Sequence, residues 1–146
     1  MKVDSLLDTN VLVYAVASDP AEEHKRKTAL ALIEREDFAL SAQVLQEFYV
    51  TVTRKLETPL ASPAAMEWIE QWAAFPCMVI DSALVKIAAE ISERYRISYW
   101  DGGVIAAAER AGAVTVYSED LNDGQQYGKV TVINPFRSSG QVQDRS

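Results

Sequence analysis

Leu6-Leu7-Asp8-Thr9-Asn10-Val11-Leu12-Val13-Tyr14 is an apolar run stopped by an acid, a hydroxyl and an amide, then resumed at once. It reads as a short buried strand, a polar turn and the first turns of a helix. In open α/β sheets such a turn lies at the carboxyl end of the strand, where ligands bind. A plainer role competes for Asp8, because Asp, Thr and Asn are all favoured helix N-caps.

Working outward, the pattern predicts a first strand over 3–7 and a short helix over 11–17, broken by Asp19-Pro20. A second helix over 22–36 has Ala29, Leu30, Leu32 and Ile33 on its apolar side. A strand follows over 38–40. The helix over 43–56 carries Val44, Leu45, Phe48, Tyr49, Val52 and Leu56 as one stripe. Pro63 suits the first turn of a helix over 64–74. A third strand over 78–80 ends at Asp81-Ser82, and Leu84, Ile87, Ala88, Ile91 and Tyr95 define the helix after it. Another helix follows Ser98-Tyr99-Trp100-Asp101 and stops at Gly112. A buried strand over 114–117, a polar turn over 118–128 and a last strand over 130–133 complete the order. Strands alternating with helices imply a three-layer α/β/α sandwich around a mainly parallel sheet. One domain over 1–136 is expected, with a polar, mobile tail over 137–146.

Composition bounds the function. An apolar share of 49% and a charged share of 24% are those of a soluble globular protein. No run approaches the ~18 apolar residues of a membrane helix, so no membrane role is expected. Met1-Lys2-Val3-Asp4 meets an acid too early for a signal peptide. The single Cys77 cannot pair within the chain and reads as a core thiol, which together with the rest places the protein in the cytoplasm. A net charge of -7 argues against a broad basic surface for nucleic acid. The basic clusters Lys25-Arg26-Lys27, Arg54-Lys55 and Arg94/Arg96 read as solvated helix faces. The charge does not exclude a metal site, which uses carboxylates and neutralises them when filled.

The acids are where chemistry is expected. Asp8 ends the first strand, Ser118-Glu119-Asp120 ends the fourth, and Asp101 opens the helix leading into the fourth. If the first and fourth strands are neighbours where strand order reverses, these acids share one crevice. Two carboxylates ~4 Å apart repel by about 4 kcal/mol at an effective dielectric of 20. The nearby turns offer no Lys or Arg, so a hard divalent cation such as Mg²⁺ is the simple partner. Each acid also has a local role: Ser98-x-x-Asp101 matches a capping box, and turn chemistry suits Asp120 and Asp123. Glu47 lies off its apolar stripe and has no Lys or Arg three or four residues away. The only histidine, His24, sits on a charged helix face, which disfavours a His-dependent triad or a His-rich zinc site. No phosphate-loop or G-x-G-x-x-G pattern is present.

Leu-Leu-Asp8-Thr-Asn10-Val-Leu-Val-Tyr14-Ala, Val44-Leu-Gln-Glu47-Phe, Ser98-Tyr-Trp-Asp101 and Tyr117-Ser-Glu-Asp120-Leu-Asn-Asp-Gly124 together resemble a PIN domain. Within that family the chain is most similar to the VapC-type ribonuclease toxins of toxin–antitoxin pairs. The likeness runs from about Val3 to Phe136, and its specificity lies in the order and spacing of the motifs, closing on Val-Ile-Asn-Pro-Phe. It implies a crevice holding Mg²⁺ or Mn²⁺ in which Asp8, Glu47, Asp101 and Asp120 are the catalytic, metal-ligating quartet. Asn10 and Ser118 are implied as hydrogen-bonding supports, and Asp123 as a contact to the metal through water. The implied reaction is endonucleolytic cleavage of structured RNA, a tRNA or ribosomal RNA loop, leaving a 5′-phosphate and a 3′-hydroxyl. The metal would acidify bound water and stabilise charge on the phosphate, with Asp101 or Asp120 as a candidate proton acceptor. The implied partners are RNA, a cognate antitoxin and a second copy of the chain.

Gly102-Gly103 departs from the family pattern, which has Ala and then a larger apolar residue there. Because each helical Gly costs about 1 kcal/mol relative to Ala, a loose or late-starting helix after Asp101 is expected, or a close approach of RNA backbone. The glycines and the acidic charge motivate a rival, a catalytically silent PIN-like module that binds RNA or protein. A DNA-directed nuclease is a third possibility. Tyr99, Trp100 and Tyr127 are candidates for base stacking, with core or dimer packing as the plainer role of Trp100.

Overall fold

A computed structural model describes residues 3–137. The polar tail expected over 137–146 therefore lies, apart from Arg137, outside the described residues. The wholly buried strand β1 (Ser5–Leu7) runs parallel to β2 (Phe38–Ser41) on one side and to β4 (Thr115–Tyr117) on the other. The remaining strands are β3 (Cys77–Met78), β5 (Gln126–Tyr127) and β6 (Val130–Ile133), and the sheet order is β3-β2-β1-β4-β6-β5. Every pairing is parallel except β5 with β6. The chain steps outward from β1 to β3, then crosses back to start again at β4. Strand order therefore reverses between β1 and β4, and loops there diverge into a crevice.

The period of two along the strands divides the core. Leu7, Phe38 and Leu40 face one way and pack beneath α1 (Thr9–Val16), α2 (Glu23–Glu34), α3 (Ala42–Val50) and α4 (Ser62–Trp72). Leu6, Val116, Val130 and Val132 face the other way beneath α6 (Tyr99–Ala111), which α5 (Ser82–Tyr95) flanks. This is the expected three-layer sandwich.

Several local expectations are corrected. The helix predicted over 43–56 keeps α geometry only to Val50; residues Thr51–Lys55 form a π-turn. There the Val52 carbonyl accepts from the backbone N–H of Leu60, and the Thr53 hydroxyl bonds back to the Tyr49 carbonyl, so the regular ladder is interrupted. The third strand is shorter than 78–80: Val79 and Ile80 lie beyond it at the sheet edge and are exposed. Within the supposed polar turn, Gln126 and Tyr127 form an antiparallel strand with β6, reached through Gly124 in the left-handed region at φ 84°.

The helix after Ser98 is neither loose nor late. It starts at Tyr99, with the Ser98 hydroxyl accepting from the Asp101 N–H at 3.0 Å. Both glycines are buried against protein. A Cβ on Gly102 would stand 2.5 Å from the Ala88 carbonyl oxygen of α5, and one on Gly103 would collide with the Gln43 side chain. Close packing with α5 and α3 explains them, rather than an approach by RNA.

Candidate active site

Four elements bring the acids to the β1/β4 reversal. Asp8 follows directly from β1 and is 6% exposed, the most buried acid of the described chain. Its Oδ1 accepts from the Thr9 N–H at 2.8 Å, so the capping role is real, while its Oδ2 accepts from the Ser118 hydroxyl at 2.7 Å. The same hydroxyl accepts from the Asp120 N–H at 3.1 Å, tying the turn after β4 to the end of β1. Burial raises the Asp8 pKa from 3.8 to about 6 against the lowering effect of the Ser118 and Thr9 bonds, and the charges of Glu47 and Asp120 push it the same way. Asp101, in the first turn of α6, is raised by burial and by Asp120, partly offset by Ser98. Asp8, Glu47, Asp101 and Asp120 thus share one electrostatic neighbourhood.

Glu47 projects from α3 and is exposed; its Oε1 accepts from the Thr9 hydroxyl and from the Gln43 amide, both at 3.4 Å. Asn10 supports the site: its Nδ2 donates to Asp120 at 3.2 Å, and its Oδ1 accepts from the Glu119 N–H at 3.2 Å. Asp123 is engaged by the chain after β6. Its Oδ1 accepts from the Asn134 N–H at 2.8 Å and its Oδ2 pairs with Arg137 at 3.4 Å, so it pins the chain after β6. Tyr127 cannot stack on a base, being 1% exposed, whereas Trp100 is 63% exposed with its ring edge-on to Tyr99.

A second layer escaped the sequence reading. Tyr14 lies one turn beyond Asn10 on α1, and its hydroxyl donates to Glu119 at 2.6 Å. Lys25 of α2 donates to the other Glu119 oxygen at 2.6 Å and to the Tyr14 hydroxyl at 3.2 Å, with its ammonium 4.9 Å from the Tyr14 ring centre. A cation does reach the 118–120 turn after all, from a distant helix. Spacing gave one clue: Asn10 and Tyr14, four apart, share a helix face. Nothing local marked Lys25.

Among the described residues, no three acids already converge on a common point as a closed cation cage. The donor set nevertheless suits a hard divalent ion: carboxylate oxygens only, with one acid desolvated among like charges. Asp8, Glu47, Asp101 and Asp120 are the residues that would hold it.

The model of the PIN domain family matches residues 5–124. The chain belongs to the PIN domain family. Among solved structures, this PIN domain is similar to FitAB bound to an IR36 DNA fragment, at 24% identity over 92% of this chain and 97% of that one, with a TM-score of 0.67. It is similar to a toxin–antitoxin complex from Klebsiella pneumoniae, at 15% identity over 90% and 98% of the two chains, with a TM-score of 0.68. It is also similar to VapC20 of Mycobacterium tuberculosis, described as a sarcin–ricin loop cleaving toxin, at 20% identity over 80% and 90%, with a TM-score of 0.64. At these identities the likeness is one of fold. No curated protein matches the sequence.

Proposed function

We propose that this PIN domain is a metal-dependent endoribonuclease, the toxin of a toxin–antitoxin pair, cleaving a structured RNA such as a tRNA or ribosomal RNA loop. The products would carry 5′-phosphate and 3′-hydroxyl ends. The observation that carries this reading is Asp8, buried where strand order reverses and pressed by Glu47 and Asp120. Such a group is costly to keep ionised unless a cation joins it. The likeness in fold to toxin structures supports the toxin assignment and a cognate antitoxin, and a homodimer and a cytoplasmic location belong to the same proposal.

Mg²⁺ or Mn²⁺, when bound, would acidify a water and offset the charge developing on the scissile phosphate. The chain's own residues do the rest. Asp8 is oriented by Ser118 and Thr9, and Asp120 by Asn10, so the two acids present fixed oxygens across the β1/β4 crevice. Asp101 is half-buried and its pKa is raised, which suits it to accept the proton of the attacking water. Trp100, exposed beside Asp101, offers a face on which an unpaired base can stack.

Incubating purified protein with total tRNA and Mg²⁺ or Mn²⁺, against EDTA and Asp8→Asn controls, tests the reading. Discrete fragments that disappear in both controls are expected. If tRNA and ribosomal RNA both stay intact beside folded, metal-loaded protein, the nuclease reading fails and the silent binding module replaces it. That rival loses one motive already, since Gly102 and Gly103 lie within a well-formed helix. Its remaining motive is the net charge of -7.

A further inference from the structure

Gln43 is the one amide side chain buried among the described residues, at 8% exposure, and it stands between two elements that carry acids. Its Nε2 donates to the Trp100 carbonyl at 2.9 Å and to Glu47 Oε1 at 3.4 Å. Both partners only accept, which fixes the nitrogen rather than the oxygen toward them. Glu47 lies one helical turn beyond Gln43 on α3, and Trp100 immediately precedes Asp101 on α6. One carboxamide therefore ties the α3 acid to the backbone that carries the α6 acid. The carboxamide oxygen occupies the space that a Cβ on Gly103 would fill. Gly103 is the residue next but one to Asp101, so the same helical turn that presents the acid also makes room for the amide.

We propose that Gln43 is a positioning residue for the acidic crevice, and that residue 103 is glycine so that the Gln43 carboxamide can lie between Glu47 and the start of α6. The role rests on the metal-nuclease reading above. With the Thr9 hydroxyl, Gln43 loads both hydrogen bonds of Glu47 onto Oε1, leaving Oε2 without a hydrogen bond among the described residues. That oxygen is then available to a cation. Without the amide, Glu47 is an exposed side chain held only by the Thr9 hydroxyl at 3.4 Å, with more rotamers open to it, and the tie to the backbone before Asp101 is lost. Groups that orient a metal ligand in this way carry a large share of metal affinity.

The test is Mn²⁺ binding, by titration calorimetry or by the paramagnetic resonance signal of free Mn²⁺, with melting temperature measured on the same samples. Gln43→Met keeps the volume and removes both donors; it is expected to weaken Mn²⁺ binding about 10-fold or more. Gly103→Ala leaves the glutamine in place but displaces its amide, and the same direction of loss is expected. Gln43→Ala/Gly103→Ala together are expected to bind no more weakly than Gln43→Ala alone, because the added methyl then has nothing to displace. A purely structural role would lower melting temperature and leave Mn²⁺ affinity alone. Gln43→Met and Gly103→Ala both binding Mn²⁺ within twofold of the parent would overturn the proposal while leaving the nuclease reading intact. A folded parent that binds no Mn²⁺ would overturn both.

Discussion

Asp8 is at once a structural cap and a liability. In an unfolded chain its carboxyl loses a proton near pH 3.8, whereas in the folded protein it does so at about 6. Well below pH 3.8 both states hold the proton and the residue is neutral toward stability. Between the two values the unfolded chain is ionised and the folded one is not, so stability falls as pH rises, and above 6 the whole penalty is present. It amounts to something on the order of 3 kcal/mol. Metal-free Asp8→Asn protein is therefore expected to melt at a higher temperature than the parent at pH 7.5, the difference shrinking to near zero by pH 3.5. Equal melting temperatures at pH 7.5 in EDTA would show that burial does not penalise this carboxylate.

At the scale of elements, helix contacts decide where the acids stand. Gly102 lets α6 lie against the Ala88 carbonyl of α5, with no room for a methyl group. Gly102→Ala gains about 1 kcal/mol of helix propensity but forces two packed backbones apart, a cost of about 1–3 kcal/mol. A lower melting temperature is expected, by a few degrees for a chain of this size. The Lys25–Glu119 pair, with side chains 22% and 26% exposed, holds the 118–120 turn against α1 and α2. Lys25→Met should cost about 1–2 kcal/mol, since it strands a half-buried charge. It should also speed amide hydrogen exchange at Glu119 and Asp120 while leaving β2 protected; unchanged exchange at those amides would deny the clamp. These contacts mark the limit of sequence reading. β1, β4 and the Asp8 turn were legible because an apolar run ending in a polar turn is a local signal. Lys25 and Gln43 were not, because their partners at Glu119 and Trp100 lie far along the chain. β5 was missed because two residues carry no periodicity, and the π-turn because a stripe at helical spacing does not reveal where a carbonyl changes partner.

For the whole molecule, the site and the fold are linked through any ion the crevice takes. A cation that binds only the folded state stabilises it by about 2.7 kcal/mol when present at 100 times its dissociation constant. Raising Mn²⁺ should therefore raise the parent's melting temperature at pH 7.5 and move Asp8→Asn protein much less; parallel shifts in both would mean binding elsewhere. The placement of β4 beside β1 also has a bearing on how the protein is made. Asp8 and the Ser118 that orients it are 110 residues apart, and β1 gains its second parallel neighbour only when β4 arrives. While the chain is being translated, Asp8, Glu47 and Asp101 all leave the ribosome before the 118–120 turn does. A half-made copy therefore has acids but no crevice, and if the proposed nuclease reading holds, it would gain activity only when synthesis is nearly done.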